Sequence, residues 1–157
     1  MDVRLIALFL PLLMAACVHD SARPPDLLSS LYRAQAGDPV SSFRYSNPNL
    51  RWAALDSQTM VFWATADEVY LVSMATRCAD LDVAHAIEVT SRMRQVTARW
   101  DGVTVLSRPG GPTRARLPCR IDSIRPLNFA AVGGPALETH EAQMVESETG
   151  ADAPPTP

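Results

Sequence analysis

Apolar positions change rhythm several times along this chain, and each change marks an element. Leu5 to Met14 is a continuous apolar run, followed by a polar, proline-bearing stretch. Asp26 to Gly37 then sets Leu27, Leu28 and Leu31 on one face at helical spacing, with Pro24-Pro25 ahead and Gly37 placed as a C-terminal cap, which predicts a short helix. Asp38-Pro39 ends it.

From Ser41 the period becomes that of strands. Ser41 to Tyr45 reads as extended, Ser46 to Asn49 as a turn, and Leu50 to Leu55 as a further strand. Thr59 to Thr65 and Glu68 to Met74 are dense in Val, Phe, Trp, Tyr and Leu. Ala66-Asp67 between them predicts a tight hairpin in which Trp63 faces Tyr70 and Phe62 faces Leu71. Apolar residues on both faces predict a central hairpin, covered on each side. Asp101-Gly102 predicts a second hairpin, because both residues tolerate positive φ; Val96, Ala98 and Trp100 would then share a face with Val103 and Val105. Arg108 to Pro112 reads as a loop and Leu117 to Arg125 as a last strand. Beyond Asn128 no apolar face repeats, and residues 129–157 read as a disordered acidic tail. The expected fold is therefore mainly β: a small antiparallel roll or partly closed barrel with one short N-terminal helix, in a single domain over residues 26–128.

The chain's 157 residues carry a net charge of -3, and its distribution matters more than its sum. From Phe129 onward there are five acids and no Arg or Lys, whereas Cys17 to Asn128 holds 13 arginines and 11 acids. The body is thus nearly neutral, its arginines are dispersed, and no basic stripe with interleaved aromatics marks a nucleic-acid surface. All basic residues are Arg, a compositional trace of a GC-rich genome rather than a functional signal.

Met1 to Ala16 has the layout of a secretory signal: Arg4, the apolar run, and Ala15-Ala16 at the cut. An apolar run of this length falls short of the about 20 residues a transmembrane helix needs. Leu13-Met14-Ala15-Ala16-Cys17 resembles the lipobox of bacterial lipoproteins, in which the signal peptidase cuts before a cysteine whose sulfur carries a diacylglycerol. That resemblance implies lipidation at Cys17 with acyl groups such as palmitate, each buried methylene contributing about 0.8 kcal/mol to anchoring. Residues 17–25 then form a flexible tether. Val18, where an Asp would retain a Gram-negative lipoprotein at the inner membrane, implies the outer membrane facing the periplasm.

With Cys17 assigned to lipid, Cys78 and Cys119 remain as an even pair in an oxidising compartment, and a disulfide between them is expected. Neither sits in a C-x-x-C pattern of the redox or metal-binding kind.

The one mixed cluster of chemical groups is Asp80, Asp82, His85 and Glu88, a weak candidate for a metal or acid-base site. Its carboxylates follow Cys78 in a turn, where Asp ordinarily bonds backbone amides, and the other histidines, His19 and His140, fall in the tether and the tail. Thr90-Ser91 with His85 as base lacks the G-x-S-x-G frame of a nucleophile elbow. Trp52, Trp63, Tyr70 and Trp100 could line a ligand groove, though strand spacing favours core positions. No glycine-rich phosphate loop occurs, and no cofactor is expected.

From Ser41 to Leu127 the chain resembles a family of small exported proteins and lipoproteins of Gram-negative bacteria known only as a domain of unknown function. The resemblance lies in Phe62-Trp63-Ala64-Thr65, Glu68-Val69-Tyr70-Leu71-Val72, Cys78-Ala79-Asp80-Leu81, Ile87-Glu88-Val89-Thr90-Ser91, Trp100-Asp101 ahead of Val103-Thr104-Val105, and Cys119-Arg120-Ile121 ahead of Ile124-Arg125-Pro126-Leu127. It supports the Cys78–Cys119 bridge and implies no catalytic residue. The role expected from the sequence is a lipid-anchored, non-enzymatic module that binds an envelope protein, glycan or small ligand. The alternative is a small enzyme or metal-binding protein using residues 80–88.

Overall fold

Nine strands and two short helices form in the computed structural model, which describes residues 27–106, 117–132 and 137–147. Helix α1 (Leu27–Ala34) precedes β1 (Ser42–Arg44), β2 (Leu50–Ala54), β3 (Thr59–Trp63) and β4 (Val69–Met74). A 3₁₀ turn at Leu81–Val83 leads to β5 (Ile87–Ser91), β6 (Gln95–Thr97) and β7 (Gly102–Val105). Then come β8 (Cys119–Pro126), α2 (Phe129–Val132) and β9 (His140–Glu146). Seven strands close into a barrel in the order β2-β3-β4-β8-β7-β5-β9, while β1 and β6 form a separate two-stranded ribbon.

Two apolar layers follow from the alternation along β2, β3 and β4. Trp52, Met60, Phe62 and Val72 belong to the cluster that fills the barrel, together with Ile87, Val89, Val103, Ile121 and Ile124. The intervening Ala53, Val61, Trp63, Val69 and Leu71 form a second cluster with Tyr32 of α1 and Val132 of α2. Every residue of β3 is consequently buried, as the doubled apolar faces of this hairpin predict. Trp63 meets Phe129 edge to face at 5.3 Å, and the Arg51 guanidinium lies over the Trp63 ring at 4.7 Å.

The two mouths are closed differently. At one, Phe43 and Val96 of the ribbon enter the barrel cluster, and Phe43 stacks on Tyr70 at 4.8 Å. At the other, residues 75–86 cross from β4 to β5, held by the Cys78–Cys119 disulfide with Cα atoms 5.6 Å apart and plugged by the fully buried Leu81.

Three sequence expectations are corrected. The β3–β4 hairpin is slipped by one residue: Phe62 pairs with Tyr70 and Trp63 with Val69. The cause is the turn, where Ala64 N donates to Glu68 O at 2.9 Å and Thr65 Oγ1 accepts from Glu68 N at 3.0 Å, so three residues rather than two make the connection. Asp101-Gly102 makes no hairpin at all. β6 pairs with β1, and β7 pairs with β5 and β8. The chain turns instead through Arg99, at φ 70°, which leaves Trp100 84 % exposed rather than on the core face. Gly102 serves close approach: a Cβ there would lie 3.0 Å from Cys119 O at the start of β8 and 3.1 Å from Cβ of the preceding Pro118. Finally, the expected disordered tail contains α2 and β9, and β9 closes the barrel between β2 and β5. Ala142 is buried and Met144 packs against the barrel cluster, enough to seat β9.

The signal, lipid and tether expectations fall at residues 1–25, outside the described residues. Among the described residues no helix is long and apolar enough to cross a membrane.

Candidate functional site

The parallel pairing of β5 with β9 assembles the mouth crossed by residues 75–86. Its register sets Glu88 against Gln143, and stepping back three residues along each strand brings His85 level with His140. On its other edge β9 pairs His140 with Trp52 of β2. The imidazole of His140 therefore rests against the fully buried Trp52 ring at 5.1 Å and meets His85 edge to face at 5.5 Å. Among the described residues the indole Nε1 of Trp52 has no hydrogen-bond partner.

Glu138 stands two residues before His140, the spacing that returns a side chain to the same face of an extended chain. Its Oε1 lies 3.8 Å from His140 Nε2. One ligand-type atom from each of His85, Glu138 and His140 falls within 4.8 Å of the others. The Glu138 side chain is 80 % exposed and that of His140 21 %, so their contact contributes little to stability. The group opens into a cavity of about 330 Å³ whose wall includes Asp82, Val83, Ala84 and Ala54.

Of the four residues singled out from the sequence, Asp82 and His85 line this cavity and Asp80 and Glu88 do not. Asp80 is exposed at φ 62° beside the 3₁₀ turn, and Glu88 sits within β5 between Thr104 and Gln143. The missing members, Glu138 and His140, come from the segment read as tail. The signal that could have found them is the alternation of Glu138, His140, Ala142 and Met144, which is that of a strand with a polar start.

The other constellations separate. Ser91 is fully buried with its Oγ 2.8 Å from Tyr45 Oη, and Thr90 Oγ1 donates to Asp101; both lie at the end of β5 away from His85. The four aromatics likewise share no groove: Trp52 and Tyr70 pack in the barrel, Trp63 lies in the outer layer, and Trp100 is in solvent.

Fold and site together define a small disulfide-clipped β-barrel, filled inside, with a polar histidine-bearing mouth. Residues 1–144 match a family of unknown function (DUF6491), and the chain belongs to that family. No curated protein and no solved structure matches it.

Proposed function

We propose that this protein is a lipid-tethered module of the Gram-negative envelope that binds rather than catalyses, and that the mouth between residues 82–85 and 138–140 is its binding surface. The observation that carries the binding reading is the convergence of His85, Glu138 and His140 on one cavity at the mouth of a barrel whose interior is packed with side chains. The envelope placement rests on the signal-like Met1 to Ala16, the lipobox-like Leu13 to Cys17 and Val18 behind it. A structural disulfide is in keeping with an oxidising compartment. The partner is an envelope protein, glycan or small ligand reached from the tether.

Fractionation of cells expressing the wild type and Cys17→Ala tests the placement. The wild type is expected in the outer-membrane fraction with incorporated palmitate, and the variant without label and released from that fraction. Equal sedimentation of the two would overturn the anchor. Crosslinking from a photoreactive residue at Val83, 67 % exposed beside the cavity, tests the binding surface in cells. Crosslinks that vanish with His140→Ala support it, and crosslinks indifferent to that change refute it.

A further inference from the structure

We propose that the mouth is a site for a divalent transition-metal ion of the zinc class, held by His85, Glu138 and His140, and that the ion clasps β9 onto the barrel. This rests on the reading of that mouth as the binding surface and names its ligand.

The donor set selects the metal. Two imidazole nitrogens and one carboxylate suit zinc and its neighbours, whereas calcium and magnesium require a shell built mainly of oxygens. Both cysteines near the barrel are joined in the disulfide, so no thiolate is supplied to favour a softer ion such as cuprous copper. Three protein ligands beside an open cavity leave a fourth position for water or a ligand, unlike the closed four-residue shell of a structural zinc. Asp82 lies on the wall of the same cavity, outside the three-donor group.

The geometry needs a small contraction. Bonds of about 2.0–2.1 Å to a tetrahedral ion bring its donors about 3.4 Å apart. Glu138 and His140 stand at 3.8 Å, and the full set within 4.8 Å, so a closure of at most about 1.4 Å seats the three protein ligands. His85 and Glu138 are exposed and free to rotate by that amount, while Trp52 holds the His140 ring from beneath. The pre-set partner is the one on the barrel wall, and the exposed partners close onto it.

The coupling to β9 follows from chain connectivity. His85 belongs to the segment the disulfide fixes near β8, whereas His140 opens β9 and Glu138 lies two residues ahead of it on the same stretch of chain. Separated strands cannot present the three donors together, so an ion that binds only the closed barrel must stabilise closure by mass action.

The intact purified chain, stripped with chelator, is titrated with Zn²⁺ by calorimetry and with Co²⁺ by visible absorption. One ion per chain is expected, with a Kd on the order of 1 μM or below, tetrahedral Co²⁺ bands, and a Tm raised by about 4 °C or more at saturation. His85→Ala and Glu138→Gln alter exposed side chains, so each should leave the metal-free Tm unchanged while weakening Zn²⁺ by at least about tenfold. Asp80→Asn should bind as the wild type does. Amide exchange in 140–146 should slow on Zn²⁺ addition in the wild type and not in His85→Ala. Failure to bind, binding of several ions indifferent to these changes, or a loss in Asp80→Asn equal to that in His85→Ala overturns the site. Binding without slower exchange overturns the clasp. If the metal fails while crosslinks from Val83 still depend on His140, the binding surface stands with another ligand; if both fail, the reading beneath falls too.

Discussion

Asp101 and Thr90 lock the junction where β5, β6 and β7 meet. Thr90 Oγ1 donates to Asp101 Oδ1 at 3.1 Å and accepts from Gly102 N at 2.9 Å, while Asp101 Oδ2 takes the Thr97 N–H at 2.7 Å. Asp101 is only 5 % exposed, so these bonds replace water around a carboxylate.

Removing the carboxylate should therefore cost more than a surface change. Asp101→Ala leaves the Thr97 amide and the Thr90 hydroxyl without their acceptor, and a destabilisation of about 2–3 kcal/mol is expected in urea unfolding. Asp101→Asn keeps one acceptor oxygen and should lose roughly half as much. Equal stability of the wild type and the alanine variant would mean that water replaces the carboxylate at this junction.

The true hairpin turn of this region lies at Met93-Arg94, where φ is 50° and 56°. Both residues sit in the left-handed region that two-residue primed turns require, between the bridged Arg92 and Gln95. Each non-glycine residue there costs roughly 1 kcal/mol. Glu146 of β9 offsets part of it by accepting from Met93 N at 2.9 Å and Arg94 N at 3.3 Å. Met93→Gly or Arg94→Gly should raise stability by about 0.5–1 kcal/mol, measured as a shift of the urea midpoint at constant slope. A lowered midpoint in both would show that the side chains contribute more than the strain they impose.

Breaking the Cys78–Cys119 bridge should destabilise through the unfolded chain. The cysteines are 41 residues apart, and closing such a loop is worth about 4 kcal/mol in the chain-entropy picture. The double variant Cys78→Ala and Cys119→Ala is expected to lose about 3–4 kcal/mol, with amide protection falling first across residues 75–86 because the bridge ties that segment to β8. Uniform loss of protection would place the bridge's effect on the whole barrel rather than on this mouth.

What was legible in the sequence was the burial of the central hairpin, and what was not was pairing. The apolar density of Thr59 to Met74 located the central hairpin, yet a one-residue longer turn shifted its register, and no apolar contrast between its faces existed to prevent the slip. Asp101-Gly102 carried a strong local turn signal that the bonds to Thr90 on β5 and to the nearby Thr97 amide overrode, while Met93-Arg94 carried none although the chain turns there. For the site, His85 and Asp82 were visible as a local cluster. Glu138 and His140 were hidden because a strand that enters a barrel beside polar neighbours needs few apolar residues of its own, here Ala142 and Met144.

That last strand supplies the sharpest test of the architecture. β9 pairs antiparallel with β2 from Leu50 to Trp52 and parallel with β5 from Glu88 to Ser91, so without it both would become edges with unpaired backbone groups. Leu50, Trp52 and Val89 would also lose cover from Ala142 and Met144 within the barrel cluster. A chain ending at Val132 retains every other strand and both helices, so a tail without structural role predicts unchanged unfolding. The barrel instead predicts loss of the cooperative transition, exposure of Trp52 to quenchers, and self-association through the freed edges. A chain ending at Ser147 keeps β9 whole and should retain the transition. Adding a peptide of residues 137–147 to the Val132-truncated chain should restore part of the Trp52 protection if β9 is the closing strand.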